Sequence, residues 1–275
     1  MYFRSMNFTL LVKEFILALK SYKHALTFII KNGLLAYYLA PFLVGLLFII
    51  VSFFGISFFT DWLDALFQQW FGVTVKNTSF NFIKDYQELI ADSGRVVITI
   101  LLKILMFFLV FRLNKYVTLI ILSPVLAYLS ERVEVILTGK DFPFDTAQFL
   151  KDVWRGVLLA LRNMVIEISA VIILWALSFA IPILIPITAA ILFFVSAYYY
   201  GFAMLDYSNE RRRMGVKESI HYIRKHKGLT MGNGMVYQLL VNIPFFGAVV
   251  APITAVVAAT LSVHELEKPE NELLQ

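Results

Sequence analysis

Long apolar runs separated by short charged segments form the main pattern of this sequence. The longest run covers residues 168–205, a total of 38, and contains no Asp, Glu, Lys, Arg or His. As a helix it measures about 57 Å, whereas the hydrocarbon core of a bilayer is about 30 Å thick. The chain must therefore turn, and Pro182 and Pro186 are the turn signals in its middle. The pattern predicts a helical hairpin with an apolar tip, which a membrane tolerates only where protein or a wet cavity covers it.

A second apolar run covers residues 229–263 and is also free of charge. Its first leg, residues 229–242, has 14 residues. That is about 21 Å of helix, too short to cross a bilayer. A second hairpin is therefore expected, with Pro244 and Pro252 at its tip.

The remaining apolar segments predict two full crossings, one over residues 34–59 and one within residues 96–129. Residues 7–31 predict an amphipathic basic helix, with Lys13 and Lys20 opposite an apolar stripe. It could lie among lipid headgroups or pack against the protein's own helices. The expected fold is thus an all-α integral membrane protein with two long transmembrane helices, two re-entrant helical hairpins and amphipathic surface helices. Six full crossings are the alternative.

Composition supports a polytopic membrane protein. Of 275 residues, 60% are hydrophobic and 16% are charged, and the mean hydropathy is +0.77. This length predicts one membrane domain over residues 1–275. Cysteine is absent, which excludes disulfides and thiolate nucleophiles. The net charge of +5 fits cytoplasmic loops better than nucleic-acid binding.

Orientation follows from the distribution of Lys and Arg. The first 33 residues and the loop at 206–228 are basic, whereas residues 60–94 are net acidic. The basic loop contains Arg211, Arg212 and Arg213, a topology signal and a contact for lipid headgroups. We therefore expect a multi-pass protein of the bacterial inner (plasma) membrane with cytoplasmic termini.

Catalytic motifs are lacking. The sequence has no HExxH motif, phosphate-binding loop or nucleophile elbow, and its four histidines lie outside the apolar runs. We expect no enzymatic activity, no metal site and no cofactor.

Three segments resemble the CysZ-type sulfate transporter family, which shares a superfamily with etoposide-induced protein 2.4. They are residues 122–140, residues 203–234 with their LDY and basic block, and residues 242–260 with NIPFFG. The resemblance implies two long tilted membrane helices and two half-inserted hairpins. It also implies passive movement of sulfate or a related oxyanion. Homo-oligomerisation is expected because the hairpin tips need protein cover.

The resemblance also suggests an anion site at the start of the first membrane helix, in the stretch NGLLAYYLAP. The predicted anion-binding residues are Lys31, Asn32, Gly33, Leu34 and Pro41. Where the family pattern has two adjacent arginines, this chain has Leu35 and Ala36. Without these guanidinium groups, backbone N–H groups near Gly33 would have to bind the anion.

Two functions of different classes follow. The first is an anion transporter or channel whose partners are an inorganic anion, membrane lipids and further copies of the chain. The second is a non-transporting membrane scaffold or lipid-interaction protein with the same fold. Broad resemblance favours the first, and the missing arginines favour the second.

Overall fold

A computed structural model of the protein describes residues 8–71, 118–139, 146–243 and 246–268. Within these ranges the regular elements are all helices, which confirms the all-α prediction. The helices are α1 (Phe8–Lys31), a 3₁₀ helix (Leu34–Tyr38), α2 (Leu39–Phe71), α3 (residues 118–138), α4 (Thr146–Ala180), a 3₁₀ helix (Pro182–Leu184), α5 (Ile185–Arg211), α6 (Val216–Lys225), α7 (Lys227–Val241) and α8 (Gly247–Glu267).

The chain divides into two compact units. The first comprises Met1–Gly45 and Thr118–Gln275, and the second comprises Leu46–Val117. The boundary at Gly45 lies inside α2, so this helix contributes to both units. The assignment of residues 1–275 to a single membrane domain stays a prediction.

Four helical segments within the described ranges are long and apolar enough to cross a membrane. They are Leu34–Val51, Lys151–Ala180, Pro182–Arg211 and Gly247–Glu267. The first agrees with the predicted crossing over residues 34–59, although α2 continues as a helix to Phe71. Of the second predicted crossing, residues 96–117 lie outside the described ranges and the rest belongs to α3.

The predicted turn at Pro182 and Pro186 separates α4 from α5. Pro182 begins the short 3₁₀ helix and Pro186 lies in the first turn of α5, where a missing N–H costs no hydrogen bond. The 35 residues of α4 and 27 of α5 correspond to about 52 Å and 40 Å of helix. Each is longer than a bilayer core of about 30 Å, so the number of full crossings stays a prediction.

The second hairpin is shorter. The 15 residues of α7 correspond to about 22 Å, less than the bilayer core. Pro252 differs from its predicted position at the tip, because it lies inside α8, five residues after Gly247. The apolar residues on either side of it continue the helix, and the chain turns earlier, after Val241. Pro244 lies outside the described residues.

The core of the first unit surrounds α8. Residues 251–260 of this helix are all buried, and α1, α5 and α7 pack against it. An all-round apolar helix of small residues suits such a central position. The backbones of α5 and α7 approach closely at Gly201 and Gly234. A Cβ added to Gly201 would lie 1.8 Å from the Thr230 carbonyl oxygen, so only glycine fits there.

Candidate functional site

The junction between α1 and α2 contains the predicted anion-binding residues. Gly33 follows α1 in the left-handed conformation, with φ of 69° and ψ of 26°, which glycine adopts without steric cost. The side-chain amide of Asn32 donates a hydrogen bond to the Phe28 carbonyl oxygen at 2.9 Å. Asn32 therefore caps the carboxyl end of α1. The ammonium group of Lys31 is exposed nearby.

The other two predicted residues have a structural role. Leu34 is buried in the core with 4% of its surface exposed, and Pro41 is buried near the start of α2. Neither side chain carries a group that binds an anion. At the positions that match the family's arginine pair, Leu35 is 54% exposed and Ala36 is also exposed. Among the described residues, the junction offers one side-chain cation, Lys31. The backbone N–H groups of Asn32 and Gly33 already donate to the Phe28 and Ile30 carbonyl oxygens, at 3.0 and 3.4 Å. The remaining backbone donors are those at the start of the 3₁₀ helix.

The three consecutive arginines have different environments. The Arg211 guanidinium donates to the Ser130 Oγ at 2.7 Å and to the Glu134 Oε2 at 3.1 Å. It therefore joins the end of α5 to α3. Arg213 has a positive φ of 56° and is exposed. Arg211 therefore forms hydrogen bonds within the protein, whereas Arg213, two residues later, is exposed.

Arg212 joins the end of α5 to the end of α8. Both of its terminal nitrogens donate to the Glu267 carboxylate, one of them at 2.5 Å. The Tyr222 hydroxyl donates to the same carboxylate at 3.2 Å, and the Arg212 guanidinium lies 5.6 Å from the Tyr222 ring centroid. Burial, followed by the negative charge of Glu267, raises the pKa of Tyr222 to about 12. The phenol therefore stays neutral at physiological pH.

A buried ion pair between α4 and α5 was missed by the sequence reasoning. The two terminal nitrogens of Arg155 donate to the two carboxylate oxygens of Asp206 at 2.8 and 3.1 Å. Their side chains are only 11% and 9% exposed. The Ser219 hydroxyl also donates to Asp206, and the Asn209 amide donates to that hydroxyl at 3.0 Å. This Arg155 cluster, comprising Arg155, Asp206, Ser219 and Asn209, connects α4, α5 and α6.

Several polar atoms in and beside the Arg155 cluster are buried and have no hydrogen-bond partner among the described residues. They are the Nε of Arg155, the Oδ1 of Asn209 and the Oγ of Ser208. The unpartnered Nε belongs to the guanidinium edge that typically binds oxyanions with two parallel hydrogen bonds. Ionisable side chains inside apolar helices are costly and commonly functional. The Arg155 cluster is thus a second candidate for anion contact.

One signal for the Arg155 cluster was present in the sequence. Asp206 belongs to the LDY block that carries the family resemblance. Arg155 gave no such signal, because a single arginine near the start of an apolar helix is also typical of an interfacial residue. Its partner is 51 residues away in the chain, a separation that periodicity does not reveal.

A further buried carboxylate joins α1 to the start of α7. Glu14 is 3% exposed. Its carboxylate lies 2.7 Å from the Nδ1 of His226 and accepts a hydrogen bond from the Leu229 backbone N–H at 3.4 Å. A carboxylate is favourable at this end of a helix because the free N–H groups there carry partial positive charge. Within the described ranges, no three or more His, Asp or Glu residues are placed to hold a metal ion.

Known proteins that resemble this chain indicate one family. A sequence model of the family described as "Sulfate transporter CysZ/Etoposide-induced protein 2.4" matches residues 21–252. A protein named Sulfate transporter CysZ from Pseudomonas aeruginosa is 26% identical over 239 residues, which cover 86% of this chain and 89% of the relative. The protein of the same name from Pseudomonas paraeruginosa is 26% identical over 242 residues, with the same coverage. One from Pseudomonas fluorescens is 28% identical over 144 residues, covering 52% of this chain and 56% of the relative.

Proposed function

The chain belongs to the family of sulfate transporter CysZ and etoposide-induced protein 2.4, and on this premise we propose that it transports sulfate or a related oxyanion across a bacterial inner membrane. The observation that carries the proposal is the extent of the match. It includes residues 21–252, and relatives named as sulfate transporters align with 86% of the chain. The four helical segments of the described ranges that are long and apolar enough to cross a membrane support it.

We propose that transport is passive, through a channel or carrier that does not hydrolyse a nucleotide. The sequence has no phosphate-binding loop for a nucleotide. We further propose a homo-oligomer. The turn between α4 and α5 is strongly apolar, with Ile183 82% exposed and Ile185 56% exposed. Such a turn at membrane depth needs protein cover, which further copies of the chain can supply.

The termini and the basic loop with Arg213 are proposed to face the cytoplasm, and the two hairpins to re-enter from that side. A cysteine introduced at Ile185, in the otherwise cysteine-free chain, tests this arrangement. A membrane-impermeant reagent added outside intact cells should leave it unlabelled. Ready labelling would support a full crossing by α4 and α5.

The junction after α1 is proposed to bind the anion through Lys31 and backbone N–H groups near Gly33. The space around Gly33 is open. Gly33→Leu should abolish flux, because the leucine side chain would fill the space that the anion is proposed to occupy. The left-handed conformation also strains leucine, by about 1–2 kcal/mol. Gly33→Asn is the matched control, because asparagine tolerates this conformation better than other side chains. Unchanged flux in a folded Gly33→Leu protein would move the site elsewhere, with the Arg155 cluster as the next candidate.

Uptake of radiolabelled sulfate into proteoliposomes tests the function itself. We expect saturable uptake that sulfite competes more strongly than chloride, with phosphate as a third competitor. Empty vesicles are the control for leakage. Uptake no greater than in empty vesicles, by protein whose thermal unfolding is cooperative, would contradict the proposal.

A membrane scaffold without transport activity is the second candidate. It is favoured by one observation, the exposed Leu35 and Ala36 at the matched arginine positions. Thermal unfolding separates the two functions, because a ligand that binds only the folded state raises the melting temperature. A transporter should be stabilised by low-millimolar sulfate more than by chloride at equal ionic strength. A scaffold should respond equally to both salts.

A further inference from the structure

Helix α1 has three distinct faces. One face is buried against α7 and α8. Its buried residues are Glu14, Ala18, Ser21, Tyr22, Ala25 and Ile29. The residues between them in sequence remain on the surface of the protein, so more than half of this long helix is not covered by the described part of the chain.

The uncovered surface divides lengthwise into an apolar strip and a basic strip. The apolar strip has six residues with exposed fractions of 36–77%: Phe8, Val12, Ile16, Leu19, Leu26 and Ile30. The basic strip has four exposed residues: Lys13, Lys20, His24 and Lys31. One more exposed lysine, Lys23, lies on the apolar strip, between Leu19 and Leu26. A lysine there can lay its aliphatic chain along the apolar surface while its ammonium group reaches a polar region. At about 100° per residue, the two strips are centred about 120° apart, and each is about 120° from the buried face.

The single acidic residue of α1 does not offset these positive charges. Glu14 points into the protein, where it is 3% exposed and contacts His226. Among the described residues, none of the three lysines of the basic strip forms an ion pair with a carboxylate. The outer surface of α1 is therefore apolar on one side, apart from Lys23, and carries only basic charges on the other.

We propose that α1 is a docking surface for the anionic phospholipids of one membrane leaflet. In this arrangement the apolar strip contacts acyl chains and the basic strip contacts lipid phosphates. A helix with this division of apolar and basic residues has the composition of an interfacial helix, and each basic residue near an anionic surface adds attraction. A second copy of the chain fits less well, because it would have to bring carboxylates to the basic strip.

Lipid retention by the full-length purified protein tests the headgroup preference. The protein is reconstituted in nanodiscs of mixed phosphatidylglycerol and phosphatidylcholine, and the lipids kept after extraction are counted by native mass spectrometry. Lys13→Gln/Lys20→Gln should lower the preference for phosphatidylglycerol by about tenfold. Lys217→Gln/Lys225→Gln removes two exposed lysines of α6 and should change it less than about twofold. Equal losses in both variants, or no loss in either, would overturn the proposal.

Nitroxide labels at single introduced cysteines test the depth of the two strips. Labels at Leu19 and Leu26 should be reached by oxygen more than by a water-soluble nickel chelate. A label at Lys13 should show the reverse. If the chelate reaches all three labels, α1 lies in water and the proposal fails. If neither reagent reaches Leu19 and Leu26, protein covers the apolar strip and a second copy replaces the lipid as its partner.

Discussion

Replacing Asp206 by asparagine tests whether the Arg155 cluster holds the helices together. In the folded protein, two hydrogen bonds of 2.8 and 3.1 Å join the Arg155 guanidinium to this carboxylate. Asp206→Asn removes the negative charge and leaves the guanidinium in surroundings where its side chain is 11% exposed. Loss of one partner of a buried ion pair costs about 3–5 kcal/mol of stability. Since domains are stable by about 5–15 kcal/mol, this is a large fraction of the total.

A second ion pair provides a matched control with the same chemistry. Arg212 and Glu267 also form a two-pronged pair, but their side chains are 24% and 45% exposed. Water replaces most of a lost interaction at such a site. Glu267→Gln should therefore cost only about 0–1 kcal/mol.

The free energy of unfolding can be measured by titrating the protein in mild detergent with sodium dodecyl sulfate. A double variant, Arg155→Met/Asp206→Leu, removes both charges. It should recover most of the loss, because no unpaired charge remains buried. The reasoning is refuted if Asp206→Asn costs no more than Glu267→Gln. It is also refuted if the double variant is as unstable as the single one.

Three further outcomes are expected in the same unfolding assay. Gly201→Ala should lower the free energy of unfolding by about 1–3 kcal/mol or more, because its Cβ would meet the Thr230 carbonyl oxygen. Gly156 has open space around it, so Gly156→Ala should be neutral or slightly stabilising. Equal effects would contradict the close approach of α5 and α7. Glu14→Gln should cost about 1–3 kcal/mol because it weakens buried hydrogen bonds, and an unchanged midpoint would contradict this. Stability should fall between about pH 10 and 12, since the pKa of Tyr222 is raised to about 12 in the folded protein. Tyr222→Phe should reduce that fall, and an identical pH profile would show that this phenol does not contribute.

The first hairpin shows how much the apolar pattern reveals. The run over residues 168–205 and its two prolines predicted two helices and the turn between them, and the structure begins that turn at Pro182. The second hairpin was predicted less well, because Pro252 continues a helix instead of ending it. A proline is a local signal, but packing of the apolar residues around it determines whether the helix continues.

The candidate site was less accessible to sequence reasoning. The resemblance identified the stretch with Gly33, and the left-handed conformation of this residue gives a physical reason for glycine there. The same stretch includes Leu34, whose side chain is buried in the core, and its place in an anion site stays a prediction. Motif matching assigns positions, but it does not tell which side chains point inward.

Composition, local periodicity and motifs of adjacent residues were enough to predict an all-α membrane protein and its family, because none of these depends on how the helices pack. Which charges form pairs depends on how the helices pack together. Arg155 and Asp206 are 51 positions apart, and Glu14 and His226 are 212 positions apart. Pairing requires two groups to lie within about 3–4 Å in a place that excludes water. Both conditions arise when distant helices pack together, so no local pattern of the chain contains them.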